Sequence, residues 1–323
     1  MRFFFALGMA VLIVFSFFTL KIYAEFFGEI FSSKEIYTAA RETGVANLPG
    51  ALPKSTYLKF AFVGDIMLDR DVEKKIIRIG GEDFRFPFLL VSDELREYDL
   101  LFGNLEGPVS NKGYDVGSAV SFRMDVRALE GLKFAGFDVL SVANNHSGDW
   151  GQEAFLDTIS NLKESGIVPI GENLEPKIIN FKNLVVAFLA FSDFAGPGAR
   201  ASDENIVESV SKAKRQTDLI IVSIHFGEEY QKEPSVRQRR LAELAADSGA
   251  DLVVGHHPHV SQTVEKYKNS YIAYSLGNFI FDQNFSEETM KGTLLEVEIK
   301  DKKILEVRPR EVRLNENYQP IFD

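Results

Sequence analysis

The sequence predicts an α/β protein built around a sheet-rich sandwich, and three patterns predict it. Short, nearly continuous apolar runs recur along the chain: LKFAFVG, YDLLFGN, FDVLSVAN, LVVAFLAF, DLIIVSIHF and DLVVG. Such runs suit strands covered on both faces. Helical spacing falls between several of them, over Val126 to Ala135, Gln152 to Ser165, Asn205 to Gln216 and Val236 to Ser248. That alternation predicts βαβ units with ligands outside the carboxyl ends of the strands. Antiparallel additions come from a hairpin within Lys177 to Phe191 around Lys182-Asn183, a second within Val264 to Leu276 around Lys268 to Ser270, and two carboxyl-terminal strands within Gly292 to Leu314.

A chain of 323 residues, 45% of them hydrophobic, can bury one large core without covalent staples. Cysteine is absent, which excludes thiol nucleophiles, thiolate metal clusters and disulfide frameworks, so any metal must be held by oxygen and imidazole. The net charge of -11 disfavours nucleic acid as a partner, and no basic stripe offsets it.

The amino terminus reads differently. Phe3 to Leu20 carries no charge, and Lys21 could snorkel so that the apolar stretch approaches the ~20 residues that cross a bilayer. Residues 1–24 are therefore expected to be an uncleaved membrane anchor, with a cleaved signal segment as the alternative. Arg2 and the terminal amine would stay cytoplasmic, which makes the protein single-pass with its carboxyl-terminal domain extracytoplasmic; cleavage would make it secreted. Residues 25–56 lack a sustained period and end in Pro49, Gly50 and Pro53, the signature of a stalk or linker, and residues 57–323 form the folded body.

Chemistry-bearing side chains collect where the apolar runs stop. LKFAFVG runs into Asp65, which reads as a hard ligand or as a turn or capping residue, with Asp69 four residues on. The next run delivers Asn104 and Glu106 between glycines, and the third delivers Asn144, Asn145 and His146. DLIIVSIHF carries His225, followed by Gly227-Glu228, and DLVVG runs into His256, His257, Pro258 and His259. An H-x-H pair in extended chain sends two imidazoles the same way, as ligation at one site requires. With carboxylate and amide oxygens alongside, the set suits a divalent Mn, Zn, Fe or Mg ion.

FVGDIMLDR, FGNLEGP, FRMDVRALEGLKFAGFDVLSVANNHSGDWG, IIVSIHFGEEY, VVGHHPHV and YSLGNFIFDQ together resemble the CapA-type capsule synthesis proteins of the calcineurin-like metallophosphatase superfamily, across about Lys59 to Gln283. The resemblance implies an α/β/β/α sandwich of two mixed sheets flanked by helices. It also implies a role in making, exporting or anchoring poly-γ-glutamate or a related capsule polymer. Residue by residue, it places Asp65, Asn104, Glu106, Asn145, His225, His257 and His259 among the metal ligands and makes His146 the catalytic acid, with Asp65 also in the catalytic set. His256 falls one residue early. Met67 stands where the superfamily supplies a histidine in D-x-H, which weakens one metal position.

Arg123 reads either as a bidentate clamp for an anionic group or as a structural ion pair. Asn278 reads as a substrate contact or as a residue packed beside the site. Lys232, Arg237, Arg239 and Arg240 form a cluster that reads as a solvated helix face, with polyanion contact as the minor alternative.

The expected function is a membrane-anchored protein of capsule or poly-γ-glutamate biosynthesis or export with a metal-dependent phosphoesterase-like site. Its expected partners are the membrane, other subunits of a capsule polymer synthase or export complex, and the anionic polymer itself. Two alternatives stand beside it: a secreted metal-dependent phosphoesterase, and a non-catalytic polymer-binding or scaffold subunit of a membrane synthase.

Overall fold

A computed structural model of the chain describes residues 57–181 and 183–322. The expected anchor and stalk lie outside these residues. Among the described residues no helix is long and apolar enough to cross a membrane.

Strand β1 (Tyr57–Ile66) lies between β12 (Lys291–Lys300), which runs antiparallel to it, and β2 (Leu100–Leu105), which runs parallel. Beyond β2 the sheet continues in parallel through β3 (Val139–Ser141) and β4 (Val168–Ile170), and beyond β12 it continues antiparallel through β13 (Lys303–Leu314) and β14 (Pro320–Phe322). A short β11 (Asn278–Ile280) also pairs in parallel with the end of β1, completing an 8-stranded mixed sheet.

The second sheet has 6 strands, in the order β5 (Lys177–Phe181), β6 (Leu184–Ser192), β7 (Leu219–His225), β8 (Leu252–His256), β10 (Ser270–Ala273) and β9 (Val264–Tyr267). β6, β7, β8 and β10 run parallel, and the two hairpins expected from the sequence supply the antiparallel edges.

Successive side chains of these continuously buried strands point to opposite faces and so fall into different layers. Phe60, Phe62 and Phe102 of the first sheet meet Val186, Phe188, Ile221 and Val254 of the second in a common core. On the outer face of the first sheet, Ala61, Val63 and Leu140 pack under three helices, α1 (Arg70–Arg78), α3 (Ala128–Ala135) and α4 (Gly151–Glu164), with the single turn α2 (Ser92–Leu95) at the margin. On the outer face of the second, Ala187, Leu189 and Ile224 pack under α5 (Asp203–Lys214) and α6 (Val236–Ser248). The result is the helix–sheet–sheet–helix sandwich that the resemblance implied.

Local chemistry sets the helix boundaries. Ser235 and Gln238 form a reciprocal capping box at α6, and Ser202 caps α5 through the Asn205 amide, so α5 starts ahead of the sequence expectation. Helix α1 escapes sequence reading because only Val72 and Ile76 of RDVEKKIIR are buried. Asp69 is its N-cap, accepting from the Arg70 amide at 2.7 Å and from the Arg123 amide at 2.7 Å. β11 and β14 also lay outside the expectation, each being a three-residue strand with too few residues to show a period.

Gly64 sets how closely β1 approaches the Leu276-Gly277 backbone, since a Cβ added there would lie 1.9 Å from the Gly277 carbonyl oxygen. Gly64→Ala is accordingly expected to lower the unfolding free energy by about 3 kcal/mol, read as a reduced urea midpoint. A midpoint equal to wild type would show that the strands are not held this closely.

Candidate metal centre

Both sheets end at one place. β1 delivers Asp65 there, β2 delivers Asn104 with Glu106 just beyond, and β3 leads into Asn144, Asn145 and His146. From the second sheet, β7 ends on His225 and β8 on His256, with His257 and His259 in the turn that follows. Parallel strands with their carboxyl ends together are what make the convergence.

Asp65 and Glu106 are fully buried, as are Asn104 and His256. Asn104 Nδ2 donates to Asp65 Oδ1 at 2.9 Å, while its Oδ1 accepts from Asn144 Nδ2 at 3.3 Å. Asn104 is therefore occupied at both ends of its amide. His259 Nδ1 lies 3.3 Å from Asp65 Oδ2 and 2.9 Å from Asn278 Oδ1, which turns Nε2 toward Glu106 Oε1 at 3.6 Å. Asn278 also donates through Nδ2 to the Thr289 carbonyl at 2.9 Å, so its amide holds the His259 ring in position. His225 Nε2 meets Asn145 Oδ1 at 2.7 Å, and the rings of His225 and His257 are 4.9 Å apart.

His256 is more than the early neighbour the sequence suggested. Its Nδ1 stands 3.2 Å from Asp65 Oδ1, yet the alignment is poor and neither ring nitrogen makes a hydrogen bond. His257 Nδ1 and Glu106 Oε1 are likewise buried without a hydrogen-bond partner. Unpaired buried polar atoms of this kind are costly, and ligation of a cation is a way for a carboxylate oxygen or an imidazole nitrogen to be satisfied. Ligating atoms of Asp65, Glu106 and His225 lie within 4.8 Å of one another, as do those of Glu229, His257 and His259. The residues present thus fit a metal of mixed nitrogen and oxygen ligation.

The protonation pattern follows from burial and charge. Burial drives Glu106 well above the usual carboxylate range, with Asp65 and Glu229 adding to the shift. For Asp65, burial also acts upward, but the adjoining His256 and His259 imidazoles outweigh it and hold the carboxyl well below its usual value. Burial, reinforced by neighbouring histidines, pushes His225 well down and His257 to about 3, so both rings are neutral and ready to ligate. Burial opposes charge on His259 too, yet Glu106 and Asp65 overcome it and raise its pKa to about 9.

His146 stands beside this cluster. Asp149 Oδ2 receives its Nδ1 at 2.7 Å, Phe122 lies against the ring at 4.1 Å between centroids, and Nε2 is 3.9 Å from Glu106 Oε1. Asp149 also accepts from the Phe122 amide and the Ser118 hydroxyl, so the carboxylate that orients His146 is itself fixed.

Arg123 lies with its guanidinium 3.6 Å from the centre of the Trp150 ring, in a cavity of 370 Å³ that also carries Asp69, Glu73, Asp115 and Asp125. An anion entering there meets those carboxylates as well as the one guanidinium. The basic cluster is neutralised locally: Lys232 pairs with Glu288, Arg237 with Asp193, and Arg240 with Asp203, while Arg239 lies over Tyr274. Met67 is fully buried, its sulfur accepting from the Asp69 amide at 3.2 Å.

Sequence reading missed Glu229 and Asp149. Asp149 carried a signal, because its spacing of three from His146 suits a turn contact. Glu229 carried none of its own, being an exposed loop residue beside another glutamate.

The family described as bacterial capsule synthesis protein PGA_cap matches residues 59–283. The capsule biosynthesis protein CapA of Bacillus anthracis is 37% identical over 282 residues, which cover 79% of this chain and 68% of that protein. The PGA biosynthesis protein CapA of Bacillus subtilis (strain 168) is 35% identical over 262 residues, covering 75% of this chain and 68% of its own length. A crystal structure of a phosphatase from Mycoplasma pneumoniae superimposes with a TM-score of 0.50 at 15% identity, covering 80% of this chain and 94% of that one. At that identity the likeness concerns the fold alone.

Cation uptake must displace the proton that His259, at about 9, holds at neutral pH. The affinity for Mn²⁺ is therefore expected to rise with pH from about 6 to 8, with at least one proton released per binding event. Calorimetry in buffers of different ionisation enthalpy measures this, and a pH-independent affinity without proton release would contradict the assignment.

Proposed function

The chain belongs to the bacterial capsule synthesis protein family PGA_cap, and on that premise we propose that it serves capsule or poly-γ-glutamate synthesis through a metal-dependent phosphoesterase-like centre. The observation that carries the reading is the convergence of both sheets on one buried nitrogen and oxygen donor set with orphaned atoms. Asp65, Glu106, Asn145, His225, His257 and His259 would supply the metal ligands. Bound there, a divalent cation supplies Lewis-acid polarisation of a phosphoryl oxygen and a nucleophile at neutral pH.

The protein's own groups supply orientation and proton transfer. Asp149 fixes the Nδ1 side of His146, which leaves Nε2 to donate a proton to the leaving oxygen of a phosphoester or acyl phosphate. Phe122 covers one side of that ring and restricts water there. Asn278 and Asn104 hold His259 and Asp65 in place from behind. Residues 1–24 would anchor this body at the outer membrane face, where a capsule polymer emerges. A mature protein free in the medium and beginning beyond Ala24 would overturn the anchor.

The test is turnover of acetyl phosphate and of a simple aryl phosphate by the full chain in detergent with Mn²⁺. His146→Ala and His257→Ala are each expected to reduce turnover by about 100-fold or more, and Asp149→Asn to reduce kcat with KM little changed. A metal-loaded wild type without turnover on either substrate would favour a polymer-binding subunit instead.

A further inference from the structure

The first strand brings one metal-competent side chain to the centre, Asp65. Met67 occupies the position from which an imidazole would come, and its thioether is buried and engaged by the Asp69 amide. A soft thioether is also a poor match for the carboxylate and imidazole donors around it. Beside the histidine turn stands a carboxylate to which the sequence assigned no role. An oxygen of Glu229 and one ring nitrogen each of His257 and His259 lie within 4.8 Å of one another. Donors bound to one ion at about 2.1 Å stand roughly 3–4 Å apart, so the three need to move by little to share it.

The loop that carries Glu229 is tied to the histidine turn. The Tyr230 amide donates to the Pro258 carbonyl at 2.8 Å, and Gln283 Nε2 donates to the Tyr230 hydroxyl at 3.2 Å. Tyr230, His257 and His259 all have positive φ, at 64°, 99° and 57°. Non-glycine residues in that region cost energy and persist where surrounding contacts enforce them. His257 Nδ1 is buried without a hydrogen-bond partner, so one of the three side chains carries an unsatisfied polar atom.

We propose that Glu229 is a metal ligand of this chain, sharing an ion with His257 and His259. The inference rests on the centre being metal-binding, and its test separates the two. Mn²⁺ content and affinity are measured on the full chain in detergent by elemental analysis and calorimetry, for wild type, Glu229→Gln, Glu229→His and the neighbouring exposed Glu228→Gln. Because Glu229 is exposed, its substitution leaves the core intact.

Glu229→Gln is expected to weaken or abolish binding of an ion by at least tenfold, Glu229→His to retain it, and Glu228→Gln to stay within about twofold of wild type. Unchanged stoichiometry and affinity in Glu229→Gln would overturn the role of Glu229 while leaving the centre standing. An equal loss in Glu228→Gln would reduce the effect to the loop's negative charge and overturn the assignment of Glu229 as ligand. A wild type that takes up no ion would overturn the centre and the inference with it.

Discussion

Asp65 is a carboxylate removed wholly from water at the point where both sheets end, and much of the site is arranged around its charge. A buried carboxylate is costly unless it is paired and hydrogen-bonded. Here the Asn104 amide, the His257 backbone amide and the His256 and His259 rings all approach it, from strands or turns of both sheets. The charge that demands this company also draws the imidazoles within reach of Glu106. Stability and site geometry are thus two results of one arrangement, since the neighbours that make Asp65 tolerable also bring the other donors together.

The rest of the fold keeps that arrangement rigid. β1, whose faces fill two different cores, cannot shift without disturbing both. Asp282 takes up Arg70 and the Asp71 amide, fastening helix α1 to the segment that follows β11. The turn carrying His257 and His259 accepts left-handed backbone at both residues, and the Tyr230 amide pins it through Pro258. Such strain at a cluster of potential ligands fits a site whose geometry matters more than local stability.

Much of this was legible in the sequence, for physical reasons. Doubly covered strands announce themselves as continuous apolar runs, and parallel topology obliges the side chains that follow them to meet; hence Asp65, Asn104, Glu106, Asn145, His146, His225, His257 and His259 could be named beforehand. Helices with a full buried face were visible too. Helix α1 was not, because two buried residues give no period. Asp69, four residues beyond a candidate ligand, proves to be a cap, a distinction that needs the Arg70 and Arg123 amides in view. Asn278 could be flagged but not placed, since its contact with His259 spans 19 residues. Glu229 was invisible because its place at the site depends on a strained loop, which leaves no compositional trace.

The central claim is that one cation site is built jointly by the strand ends of the two sheets. Anomalous diffraction from crystals grown with Mn²⁺ tests it most directly. The account predicts a peak within coordinating distance of donors from both sheets, Asp65 or Glu106 on one side and His225, His257 or His259 on the other. A well-diffracting crystal with these side chains ordered and no peak among them would contradict it.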